Sequence, residues 1–160
     1  MNKIKKTNVI ETVTCYIVRD KKVLMLFRNK KKVDINKNKW IGVGGHIERG
    51  ETPVDAVIRE VKEETNYNLI DFQKKAIIIF NFGNEVEVMH LFVATKISGC
   101  IRRYCDEGTL QWFTFDELKD IPMWEGDRLF IPKVLNDEPY FEMVLYYDKD
   151  KLIKHELLDI

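Results

Sequence analysis

Short runs of apolar residues, spaced as strands, fill most of this chain, and one central stretch changes to helical spacing. Residues 9–18 (Val-Ile-Glu-Thr-Val-Thr-Cys-Tyr-Ile-Val) are rich in β-branched side chains and predict a strand. Arg19-Asp20-Lys21-Lys22 then makes a turn, with Val23 to Arg28 as the hairpin partner. Trp40 to Gly45 predicts a strand ending in glycines, which permit close approach of the backbone to a ligand. Further strands are expected at Ala76 to Phe82 and Glu87 to Thr95, joined at Gly83-Asn84, and at Leu110 to Phe115. Asp116 is expected to cap a single helical turn through Leu118, and a second helix is expected near residues 128–136. Tyr140 to Tyr147 and Lys151 to Leu157 read as a closing hairpin. Residues 29–39 carry lysines and asparagines with few apolar positions, which gives a basic loop, either solvated or gathering phosphates.

The helical stretch has clear ends. Thr52 is an N-cap, Pro53 suits the first helical position, and Asp55 completes a capping-box-like pair while facing the positive end of the dipole. Val54, Val57, Ile58, Val61 and Thr65 recur at helical spacing and predict the stripe that meets the core. Asn66 predicts the stop, because asparagine tolerates the left-handed conformation that ends many helices.

Glu60, Glu63 and Glu64 fall together on a face beside that stripe. Carboxylates this close repel one another, and a hard divalent cation such as Mg²⁺ or Mn²⁺ resolves the repulsion with oxygen ligands. The alternative for the trio alone is a solvated acidic face screened by Arg59 and Lys62. The Gly44-Gly45 turn and Glu51 just before the helix favour the site.

Composition narrows the field further. The 160 residues, 45% of them hydrophobic, suit one domain spanning residues 1–160. Lysine plus arginine and aspartate plus glutamate number 26 each, so no global field points to stable nucleic-acid or membrane partners. No apolar run reaches membrane-spanning length. Cys15, Cys100 and Cys105 form no C-x-x-C pair, and are expected to be reduced cytoplasmic cysteines, mostly filling the core. His46, His90 and His155 share no spacing and are assigned no ligand role, although His46 stands beside the glycine turn.

Gly45, Glu51, Arg59, Glu60, Val61, Glu63, Glu64 and Tyr67 together resemble the Nudix box, G-x5-E-x7-R-E-U-x-E-E-x-G-U with U apolar. One slot departs: Asn66 stands in place of the second glycine, the mildest replacement where φ is positive. The resemblance implies the Nudix α/β/α sandwich with a central mixed sheet. It also implies hydrolysis of a nucleoside diphosphate linked to a further group, with Mg²⁺ (or Mn²⁺) as cofactor. Glu60, Glu63, Glu64, the carbonyl of Gly44 or Gly45, and Glu107 would hold the metals; one helix glutamate, Glu63 first, would accept the proton of water. Arg59 can bind phosphate, or pair with Glu51 or a neighbouring carboxylate and hold the loop on the helix.

Downstream, Asp106-Glu107, Trp112-Phe113, Ile121-Pro122, Met123-Trp124, Asp127 and Tyr140-Phe141 resemble the MutT-type branch that hydrolyses oxidised purine nucleoside triphosphates such as 8-oxo-dGTP. In that branch an aromatic at the place of Trp124 stacks on the base, and an acid at the place of Asp127 binds its edge. Taken alone, Trp124 is equally a core residue and Asp127 equally an N-cap. Gly126 replaces the first acid of an adjacent pair, and Ile41 replaces an asparagine, so two polar base contacts are lost. The expected substrate-binding residues are Trp124, Asp127, Ile41 and Gly44. The expected partner is a small-molecule nucleotide, on a monomer or weak homodimer. ADP-ribose, a dinucleoside polyphosphate or an RNA 5′ end are alternative substrates; a non-catalytic nucleotide or RNA-binding module would predict a damaged box.

Overall fold

The structure is a computed structural model that describes residues 7–29, 36, 38–102, 104–105 and 108–160. Alternating β-branched and aromatic residues build its strands. In chain order these are β1 (Asn8–Arg19), β2 (Lys22–Arg28), β3 (Trp40–Ile41) and β4 (Val43–His46). Helix α1 (Pro53–Thr65) follows, then β5 (Asn68–Asn81), β6 (Glu85–Ser98), β7 (Tyr104–Cys105) and β8 (Gly108–Thr114). A 3₁₀ turn (Asp116–Asp120), helix α2 (Asp127–Leu135), β9 (Phe141–Asp148) and β10 (Lys151–Leu157) complete the chain.

The strands run in the order β10-β9-β5-β6-β1-β2-β8-β7, with β3 on β2 and β4 on β1. The β1–β6 and β5–β9 pairs are parallel and the others antiparallel, so the central sheet is mixed. Strand alternation sends side chains to both faces. Val13, Cys15, Ile17 and Phe92 pack with Ala56, Val57 and Val61 of α1, while Tyr16, Ile78, Leu91 and Leu145 pack with Phe130, Ile131 and Val134 of α2. The result is the α/β/α sandwich expected from the resemblance.

Helix α1 forms for the local reasons read from its residues. Thr52 Oγ1 accepts from the Asp55 amide and Asp55 Oδ2 accepts from the Thr52 amide, each at 3.1 Å. Asn66 ends the helix at φ 71, with its amide donating to the Lys62 carbonyl at 3.0 Å. Its side-chain Nδ2 also donates to the Cys100 carbonyl at 3.1 Å, a bond that glycine at this position would lack.

The apolar stripe is corrected. Val54 and Ile58 are exposed, at 45% and 44%, while Ala56 and Glu64 are buried. Helix α1 is rotated so that its buried face turns toward the glutamates. Small neighbours allow this: Ala56 lies in the contact, and Gly45 lets the β4 backbone close on Glu60 of the helix, while the bare Gly44 lets β4 close on the β1 backbone at Val13.

Four smaller expectations are also revised. Cys15 is in the core, and burial pushes its thiol up to about 12, but Cys100 is exposed and fills no core. Asp116 is not a cap: Phe115 holds that place without a side-chain bond, and Thr114 and Glu117 exchange hydrogen bonds instead. Gly126, not Asp127, occupies the N-cap of α2, and Asp127 is its first helical residue. Strands β5 and β6 run longer than expected: their pairing continues from Asn81 back to Asn68 through register irregularities near Lys74 and Asp71.

Candidate active site

A cleft of ≈ 1350 Å³ runs from the start of α1 across the α2 face of the sheet. At one end it is bordered by Gly44, Gly45, Glu48 and Glu60, at the other by Trp124, Asp127 and Phe130, with Ile41 between.

Arg59 organises the carboxylate end. Its Nε donates to Glu51 Oε2 and its Nη2 to Glu51 Oε1, both at 2.8 Å, which is bidentate recognition of a carboxylate. Nη1 donates to Glu60 Oε1 at 2.8 Å and to Glu63 Oε2 at 3.3 Å, and Nη2 also reaches the His46 carbonyl at 3.0 Å. The Arg59 hydrogen bond pulls Glu51 down to about 2, with help from the Glu48 amide, and Glu51 in turn raises the pKa of Arg59. Of the two roles open to Arg59, the geometry gives the pairing one: it ties the turn before α1 to the helix.

Glu64 lies beneath the glycine turn, 5% exposed, and its Oε2 accepts from the Gly44 amide at 3.3 Å. Glu60 lies against Gly45 so closely that a Cβ there would stand 2.5 Å from its Oε1. Only glycine permits that approach. Glu63, 58% exposed at its side chain, stays in reach of solvent. Oxygen donors on a rigid helix, with a bare backbone pressed on one of them, fit a hard cation such as Mg²⁺ or Mn²⁺. Among the described residues no three acidic, histidine or cysteine side chains converge on one point, and Arg59 spans Glu60 and Glu63. Glu107 lies outside the described residues.

The other end is aromatic and acidic. Trp124 is buried, edge-on to Tyr147 at 5.2 Å between ring centroids, with Lys39 Nζ 4.7 Å from its own ring centre. Its Nε1 donates to Asn36 Oδ1 at 2.7 Å. It is therefore core and cleft wall at once. Asp127 is buried, and loss of water followed by repulsion from Glu87 pushes its carboxyl up to about 8. Ile41 is half-buried and presents only hydrocarbon to the cleft. Gly126 leaves no room for an acid: a Cβ there would lie 2.6 Å from Leu145 Cδ1 and 2.7 Å from the Tyr147 hydroxyl, which accepts from the Gly126 amide at 2.8 Å.

The structure thus gathers Gly44, Gly45, Glu60, Ile41, Trp124 and Asp127 around one cleft, with Glu64, Glu63 and Arg59 beneath or beside its carboxylate end. Polar wall residues that sequence reading did not single out include Thr12, Thr14 and Glu87, while Asn36 and Lys39 come from the 29–39 loop. A signal existed for Glu87, a charged residue at a β6 position whose alternation with Met89 and Leu91 points inward.

Fold and site together define an α/β/α sandwich built around a carboxylate-bearing helix. The family model for the NUDIX domain matches residues 10–134, and the chain belongs to that family and is a Nudix hydrolase. Such enzymes act on small-molecule nucleotides and generally use divalent metal ions. The chain is 31% identical over 132 residues to the oxidized purine nucleoside triphosphate hydrolase of Danio rerio, covering 81% of this chain and 84% of that one. It is 32% identical over 155 residues to the uncharacterized Nudix hydrolase YvcI of Bacillus subtilis (strain 168), covering 88% and 94%. The crystal structure of the mMutator MutT protein from Bacillus halodurans superposes with a TM-score of 0.83 at 25% identity, covering 92% of this chain and 97% of that one.

Proposed function

We propose that this Nudix hydrolase is a divalent-metal-dependent pyrophosphohydrolase of purine nucleoside triphosphates, oxidised guanine nucleotides such as 8-oxo-dGTP among them. The observation that carries this reading is the continuity of one cleft, with Glu60 and Gly45 at one end and Trp124 and Asp127 at the other. A base held by the aromatic and acid end leaves its phosphates directed at the glutamates. The Danio rerio relative, named for oxidised purine triphosphates, supports the same substrate class.

Glu60 and Glu64, with the Gly45 carbonyl and Glu107, would hold the metal, and Glu63 would instead serve as the base. When bound, the ion neutralises phosphate charge and stabilises the departing pyrophosphate. Glu63, in reach of solvent, can take the proton of the attacking water. Water adds its hydroxyl to one phosphorus as the phosphoanhydride bond breaks, giving a nucleoside monophosphate and pyrophosphate. Arg59 acts as a positioning residue, and Gly44 holds Glu64 through its amide. Trp124 presents a ring to the base, Asp127 a carboxyl to its edge, and Ile41 an apolar wall.

The test is a turnover screen with Mg²⁺, and again with EDTA, over 8-oxo-dGTP, dGTP, dATP, dCTP and ADP-ribose. Purine triphosphates should lead and EDTA should abolish turnover. A lead by ADP-ribose or dCTP, or full activity in EDTA, overturns the reading.

A further inference from the structure

The substrate end of the cleft contains a second carboxyl that the reading above leaves without a task. Glu87 occupies an inward position of β6, and its Oε2 accepts from Thr12 Oγ1 on the neighbouring β1 at 2.8 Å, which fixes its orientation. Its cross-strand partner on β5 is Phe80. The Phe80 ring stacks on Phe82 at 6.4 Å, and Phe82 packs edge-on to Trp124 at 6.5 Å, so Glu87 borders the aromatic end of the cleft, on the side where Thr12 pairs with His46 of β4. Glu87 and Asp127 both line that end, one from the sheet and one from the start of α2. The site beside Asp127 on its own helix is closed to any acid, because Leu145 and Tyr147 fill the space a side chain at Gly126 would need.

We propose that Glu87 is a specificity-determining residue, which together with Asp127 reads the amino-bearing edge of a guanine-type base; the proposal rests on the purine triphosphate reading. The chemistry follows from the donor inventory. An ionised carboxyl only accepts, and a protonated one adds a single donor to its remaining acceptor sites. Two carboxyls therefore offer mostly acceptors, and the matching ligand edge is rich in N–H groups. A guanine-type edge places a ring N–H beside an exocyclic amino group. A hypoxanthine edge lacks the amino group, and an adenine edge sets its amino group beside a ring acceptor. A buried carboxyl left without its donor makes the poorer ligand costly to bind. Burial raises the pKa of both acids, against the Thr12 hydrogen bond and His46 in the case of Glu87, and the charge of Glu87 raises Asp127 further, so Asp127 can hold a proton beside it.

The experiment measures kcat and KM for dGTP, dITP, dATP and ADP-ribose, with Mg²⁺, in the unmodified protein, Glu87→Gln, Glu87→Met and Thr12→Val. The unmodified protein should favour dGTP over dITP by roughly tenfold or more. Both Glu87 variants should collapse that ratio, mainly through a higher KM for dGTP. Thr12→Val should lower it partly, because it frees Glu87 without removing it. The ratio separates recognition from damage, since a merely structural Glu87 would lower all substrates together. If purine triphosphates lead the panel and the dGTP to dITP ratio survives in both Glu87 variants, this assignment fails and the purine reading stands. If ADP-ribose leads in the unmodified protein, the purine reading fails and this assignment with it.

Discussion

Arg59 and Glu51 meet through two parallel hydrogen bonds of 2.8 Å, and the same guanidinium reaches forward to Glu60 and Glu63. One planar cation thus fixes the turn before α1 and sets the spacing of the carboxylates on it. Lysine cannot reproduce that fork. Arg59→Lys should lower kcat/KM by about tenfold to a hundredfold, through misplaced carboxylates. Steady-state kinetics and a melting curve check this; a variant with unaltered kcat/KM would assign Arg59 to stability alone.

The same pair predicts an acid limit. Glu51 is held at about 2 in the folded chain against an ordinary 4.5, so the folded state binds fewer protons in that window. Its stabilisation is complete above pH 4.5 and is lost as pH falls through about 2. Glu51→Gln should show a smaller loss of melting temperature over that interval than the unmodified protein. Parallel curves would contradict it.

Glu64 is buried under the glycine turn and hydrogen-bonded to the Gly44 amide, so its oxygen is placed before any ion arrives. Glu64→Gln preserves shape and removes charge. Turnover should fall by about two orders of magnitude or more while the fold is kept. Circular dichroism beside kinetics tests this, and undiminished turnover would remove Glu64 from the metal site.

Asp127 works in the opposite pH direction from Glu51. Its folded-state pKa near 8 lies above an ordinary 3.8, so the folded chain keeps a proton that the unfolded chain releases. Stability is fully present below 3.8 and is lost as pH rises toward 8. Glu87 and Arg128 are the charges that act on it, and Tyr16 and Tyr147 nearby stay neutral, their phenols raised by burial. Asp127→Asn cannot ionise, so its stability should gain on that of the unmodified protein between about pH 5 and pH 8, by on the order of a few kcal/mol, seen as a rise in relative melting temperature. A constant difference across that range would show that Asp127 ionises normally.

Where local chemistry decides structure, the sequence was readable. Thr52, Pro53 and Asp55 announce the start of α1, and Asn66 its end, because each acts on backbone groups within a few residues. The rotation of α1 was not readable. It depends on contact with β4, where the bare Gly45 admits Glu60 and the Gly44 amide holds Glu64 on the buried side, leaving Val54 and Ile58 outward. Asp127 was readable only in part: the resemblance puts it at the base, but taken alone it looks like a cap, and only the packing of α2 on the sheet buries it in the cleft wall. Glu87 and Thr12 are 75 residues apart in sequence, and nothing local joins them.

Asn66 gives a finer test of the local chemistry. Asn66→Val forces a β-branched residue to φ 71 and should destabilise by about 1–3 kcal/mol. Asn66→Gly keeps the conformation but loses the bond to the Cys100 carbonyl, a cost of about 1 kcal/mol or less. Thermal melts should rank the unmodified protein first, then glycine, then valine. Equal losses for both variants would mean that the side-chain bond, and not the backbone angle, sets the helix exit.

The crowding around Gly126 bears on how this cleft can change over generations. An acid arriving there by a single substitution would meet Leu145 Cδ1 and the Tyr147 hydroxyl at less than contact distance, and would disturb the amide bond to that hydroxyl. A carboxylate next to Asp127 therefore becomes accessible only after β9 has given way, and shrinking Leu145 or Tyr147 first opens a void in the core. Each order of steps passes through a weakened intermediate. The pocket is held to its present recognition chemistry by a fitness valley in which core packing, rather than activity, is the barrier.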